Sequence, residues 1–122
     1  MITFQVENLT AAEQWRAVDV TDFENVVVTL EGTYTGNITF WGTNDEPEFT
    51  GDYNWVLWGL NDSTSASIAG LTNTVAGVGP SELTKGFKGT VAGLRSFAVY
   101  TESNFTPTGI VRAVISYQRS AK

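Results

Sequence analysis

The chain of 122 residues (13.2 kDa) is 42% hydrophobic and 16% charged, carries a formal net charge of −6, and has neither cysteine nor histidine. Disulfides, thiolate metal sites, cysteine nucleophiles, His-ligated zinc and a Ser-His-Asp triad are therefore excluded. The length fits one domain, 1–122; acidity disfavours nucleic acid, and no apolar run reaches the roughly 20 residues that cross a bilayer.

In chain order, Met1-Ile-Thr-Phe-Gln-Val-Glu has neither the basic nor the apolar region of a secretory signal, so none is expected. Residues 3–7 read as a strand, and 1–10 as an N-terminal contact arm able to add to a sheet edge. Leu-Thr-Ala-Ala-Glu-Gln-Trp over 9–15 is compatible with one helical turn capped by Thr10, with Glu13 three residues on. A strand follows at 14–20. Val26, Val28 and Leu30 then share one strand face, and Ile38 and Phe40 another, with Trp41 on the opposite side. Residues 53–58 are apolar on both sides, 64–69 form a weaker strand, and 70–84 read as a long surface loop. Strands return at 86–91 and 94–101. The last is the clearest: Val111, Ala113, Ile115 and Tyr117 on one face oppose Arg112, Ser116 and Gln118. Gly, Asn, Asp and Pro clusters punctuate these segments. The pattern predicts an all-β, antiparallel two-sheet β-sandwich, jelly-roll or Ig-like, of about eight to nine strands.

Charge is uneven. Residues 1–62 hold eleven acids against Arg16 alone, and residues 63–122 hold two acids against six bases. Interleaved strands are expected to cancel part of that asymmetry. The acidic stretch Asp45-Glu46-Pro47-Glu48 with Asp52 lacks the alternating spacing of a calcium loop, and reads as a solvated acidic loop. No catalytic constellation, cofactor or metal site emerges, and the chain is not expected to be an enzyme. Four tryptophans, Trp15, Trp41, Trp55 and Trp58, leave three roles open: core, subunit contact, or a stacking platform for sugar rings.

Three blocks carry a family resemblance. Glu31-Gly32-Thr33-Tyr34-Thr35-Gly36 runs on through Phe40, Gly42 and Asp45; Gly89-Thr90-Val91-Ala92-Gly93-Leu94-Arg95-Ser96-Phe97 follows; Thr108-Gly109-Ile110-Val111 opens the last. Together they resemble the strand–turn–strand pattern of small β-sandwich virion proteins of tailed phages, including capsid decoration (cement) proteins. Ala98 departs from the pattern's frequent Arg, and Glu46-Pro47 from its Gly. The resemblance implies a structural virion protein made in the host cytoplasm and carried on the outer capsid surface. Its partner would be the major capsid protein, and it would self-associate, with a trimer as the expected form. Ile2, Phe4, Trp41, Asp45, Glu46, Glu48 and Trp58 are the expected contact residues. The alternatives are a carbohydrate- or receptor-binding module of a tail or fibre, and a tail or neck structural protein.

Overall fold

A computed structural model describes residues 2–44, 55–62, 72–77 and 83–119, with the backbone alone for Ile2 and Leu83. Among the described residues ten strands run in chain order: β1 (Ile2–Asn8), β2 (Trp15–Asp19), β3 (Asn25–Thr35), β4 (Asn37–Thr43), β5 (Val56–Leu57), β6 (Asn61–Asp62), β7 (Thr74–Ala76), β8 (Leu83–Thr90), β9 (Ser96–Thr101) and β10 (Thr106–Gln118). They form two antiparallel sheets, one ordered β1-β10-β3-β8-β6 and the other β2-β9-β4-β5, with β7 also on β4. The pairs β1·β10, β2·β9, β3·β8 and β4·β5 are nested, early strand with late. An antiparallel ribbon rolled over on itself has that order, and it is the jelly roll rather than the immunoglobulin arrangement.

The core lies between the sheets where alternation sends β-branched and aromatic residues inward. Val26, Val28 and Leu30 of β3, Ile38 and Phe40 of β4, and Val111, Ala113 and Ile115 of β10 are all buried, as the alternation predicts. Phe40 packs edge-on against Phe87 and stacks on Phe97, joining the two sheets. Tyr34 crosses the sandwich too, its hydroxyl donating to the Val75 carbonyl at 3.0 Å.

Glycine closes the β3–β4 turn for two reasons. Gly36 has φ +87°, and a Cβ there would sit 2.1 Å from the Asn104 carbonyl oxygen. Gly32, at φ +114°, faces the Ile110 carbonyl, where the β3·β10 register shifts between Thr108 and Arg112.

Four sequence expectations change. Residues 9–14 form a turn, not a helical one. Gln14 rather than Glu13 closes it, taking the Thr10 and Ala11 amides on its carbonyl and donating to the Thr10 hydroxyl, while Glu13 takes a left-handed φ of 58°. The 70–84 stretch contains β7 and the start of β8: Val75, buried between exposed Thr74 and Ala76, is enough to dock three residues on β4. Of the strand expected at 53–58, residues 53–54 lie outside the described residues, and 55–58 contain only the two-residue β5, with Val56 and Leu57 both exposed. The count reaches ten through β6 and β7, which are too short to show a period. The strand expected at 64–69 lies outside the described residues.

Interleaving also brings the acidic and basic halves together: Arg112 meets Glu31 at 2.6 Å, and Lys85 meets Asp62 at 4.0 Å.

Candidate functional site

Directly opposed residues of paired strands share a face, so the register maps each outer surface as cross-strand rows. On the β1-β10-β3-β8-β6 sheet one row reads Phe4, Ser116, Val27, Lys88, Asn61, and the next Val6, Val114, Thr29, Gly86. Phe4 is 65% exposed, Val6 49% and Val27 42%. The inward side of β1 is polar: Thr3, Gln5 and Glu7 lie opposite Tyr117, Ile115 and Ala113. They sit at the rim of the sandwich, where the Gln5 amide donates to Glu7, and Glu7 meets Arg16 of β2 at 3.8 Å. In β1 the apolar side therefore faces out and the polar side closes the rim. Beside the apolar rows lies a groove of about 620 Å³, lined by Asn25, Val27, Asn61, Lys88, Ser116 and Gln118.

The outer side of the other sheet differs. Tyr100, Ala98 and Ser96 of β9 point away from the core, yet Ala98 and Ser96 are fully buried. The register places Trp41 directly beside Ala98, within a cluster of aromatic rings. Trp15 lies 4.3 Å from Tyr100, 5.3 Å from Trp55 and 5.7 Å from Trp41, centroid to centroid. The Trp41 indole N–H donates to the Thr39 hydroxyl, which donates in turn to Glu102. Desolvation first, then the charges of Glu13 and Glu102, raise the Tyr100 phenol above its ordinary pKa, so the patch is aromatic with a negative rim.

The expected contact residues are not brought to one place. Phe4 stands on one outer face and Trp41, half-buried, on the other. Trp58 packs against the core beside Gly42, its indole donating to the Thr90 carbonyl at 2.8 Å. Ile2 begins β1. Asp45, Glu46 and Glu48 lie outside the described residues. Sequence reasoning missed Trp15 as the partner of Trp41, and Tyr100 as the further partner of Trp15. The signal was the parity of Trp15 within β2 and of Tyr100 within β9, but using it required the pairing of two distant strands. Among the described residues no three metal-ligating side chains converge.

These features define a jelly-roll sandwich with one apolar and one aromatic outer face. No protein-family model and no curated protein matches the chain. Among solved structures it is similar to the SPBc2 prophage-derived protein YomS, with TM-score 0.64 and 15% identity over 95% of each chain. That likeness is one of fold. A Bacillus endospore appendage protein, described as belonging to a family of disulfide-linked pili, aligns at TM-score 0.41 and 15% identity over 98% of this chain and 88% of its own.

Proposed function

We propose that the chain is a structural protein of a phage particle, and specifically a decoration protein that binds the outside of the capsid and stabilises the shell. The observation that carries the reading is the set of exposed Phe4, Val6 and Val27, with half-buried Val114 among them, turned outward on a sheet whose inner face already has its core. A contiguous exposed apolar surface on a small sandwich is a contact surface. The prophage origin of a protein with the same fold supports placing that contact in a virion. The mechanism is mechanical. Each copy buries this face across neighbouring capsid subunits, and many weak contacts add through valency. The partner is the major capsid protein, and self-association multiplies the contacts.

The test mixes purified protein with expanded shells that lack it. Binding that raises the shells' disruption temperature, and that weakens in Phe4→Lys, is the expected result. Shells that neither bind the protein nor gain resistance overturn the reading.

A second reading, a carbohydrate-binding module of a tail or fibre, is favoured by one observation: Trp15, Trp41, Trp55 and Tyr100 share an outer patch edged by Glu13 and Glu102. Indole faces stack on sugar C–H groups, and carboxylates accept from sugar hydroxyls. A glycan array followed by tryptophan-fluorescence titration decides it. Saturable binding that disappears in Trp15→Ala and persists in Phe4→Lys supports it, and a blank array removes it.

A further inference from the structure

We propose that the open edge of β1 binds the same edge of a second copy of this chain about a two-fold axis, fusing two sheets into one. The argument begins with main-chain direction. The Leu9 N–H donates to the Val111 carbonyl at 2.9 Å, continuing the unbroken β1·β10 register. Alternation then turns the N–H and C=O groups of Thr3, Gln5 and Glu7 toward β10, and those of Ile2, Phe4 and Val6 toward the free edge. Among the described residues no strand pairs with that edge. Among the described residues β1 contains no Pro, Lys, Arg or bulge to protect that edge; its protections are confined to its end, where Glu7 points inward and Arg16 donates to the Asn8 carbonyl at 3.2 Å, leaving the Phe4 and Val6 main chain open.

Register selects a second copy as the occupant. In an antiparallel pair with Gln5 opposite its own twin, Phe4 of each copy faces Val6 of the other, and Thr3 faces Glu7. The two exposed apolar residues thereby become cross-strand aromatic–β-branched pairs, and both exchange main-chain hydrogen bonds through groups that are free in the single chain. Glu7, the one charged residue of β1, lies at opposite ends in the two copies and keeps its Arg16 partner. The pairing keeps outer face with outer face, so Phe4, Val6, Val27 and Val114 of both copies form one continuous apolar surface. A head-to-tail ring would instead seat β1 on the far edge of the same sheet, where β6 is only two residues long. The two-fold contact is isologous and closes on itself. It deepens the decoration reading by doubling the face offered to a lattice, but it requires no shell and is measured without one, so the two can fail separately.

The experiment is sedimentation equilibrium of the full chain over a concentration series, with amide exchange read residue by residue. Wild type is expected to dimerise, with slower exchange at Phe4 and Val6 in the dimer and no change at Gln5. Val6→Pro removes an N–H that is free in the single chain, a place where a strand tolerates proline. Phe4→Lys leaves the backbone intact and places a charge on the pairing. Each is expected to weaken the dimer about tenfold or more while keeping the wild-type circular dichroism. Val27→Lys, on the same face but in an interior strand, is expected to remain dimeric. A wild type that stays monomeric, a trimer, or a dimer that dissolves in Val27→Lys while surviving Phe4→Lys overturns the proposal.

Discussion

Ala98 points away from the core on the outer side of β9 and has no exposed surface, whereas Phe4, pointing outward from β1, keeps 65% of its own. Both outer faces carry apolar side chains; they differ in what covers them. On the β2-β9-β4 side, large rings fold over their own sheet: Trp15 meets Tyr100 and Trp41 across the strands and Trp55 from beyond β4. On the β1-β10-β3 side the neighbours of Phe4 and Val6 are Ser116, Val114 and Val27, too small to roof anything. The aromatic face thus covers its small residues within the chain, although Trp15 stays 44% exposed, whereas the β1 side gives Phe4 no such cover. Size matters here: an aromatic ring buries roughly 150–250 Å² when covered, so large rings can roof a small residue such as Ala98 that Val or Ser neighbours could not.

The largest expected effect tests that contrast directly. Trp41→Ala removes a ring that covers Ala98 and leaves the Thr39 hydroxyl without its indole donor. Urea unfolding of dilute protein should show a loss of about 2–4 kcal/mol. Phe4→Ala and Val27→Ala under the same conditions should each stay within about 0.5 kcal/mol of wild type. Equal losses on the two faces would mean that the chain itself stabilises both in the same way.

How far the sequence displays these features depends on the length of each signal. Val26, Val28 and Leu30, or Val111 through Tyr117, alternate over enough residues for period two to mark both strand and core face. The two residues of β6 and three of β7 have no period, and only the docking of Val75 on Ile38 identifies the latter. β1 is legible as a strand but not in its orientation: its apolar residues alternate like a core face, and only pairing with β10 turns them outward. Nesting β1 with β10 and β2 with β9 depends on contacts between chain ends, which local pattern does not contain. The aromatic patch was hidden for the same reason, since Trp15 and Trp41 are visible as tryptophans while their meeting depends on β9 lying between them.

Between the two faces, Tyr34 ties the sheets together and should give an intermediate effect. Its hydroxyl donates to the Val75 carbonyl, and burial holds its phenol well above the ordinary tyrosine range. Tyr34→Phe should cost about 1 kcal/mol, the net value of one hydrogen bond. The pH dependence has a definite sign. Because the folded state resists ionisation, this contribution is intact below the unfolded tyrosine value near 10 and falls as pH rises above it. Ultraviolet titration should find one tyrosine that ionises only with unfolding, and Tyr34→Phe should lack that alkaline step.

The smallest effect concerns the end of the uncovered face, where Arg112 places Nε and Nη2 on one Glu31 oxygen, at 3.0 and 2.6 Å. Both side chains are partly in water, 48% and 34% exposed, so solvent screens the pair. A double-mutant cycle of Glu31→Gln and Arg112→Gln in dilute protein should give a coupling of about 0.2–1 kcal/mol. That coupling should shrink as ionic strength rises and the Debye length falls. The cycle also reports on cover, because an ion pair shut away from water resists screening. With Asn8 beside Arg112 in the same row, a second β1 docked on the edge brings protein toward this pair. The salt sensitivity measured at high protein concentration should therefore be weaker than in dilute solution. Equal sensitivity at both concentrations would mean that the face stays wet, and that the apolar row beside it is not being covered by another copy.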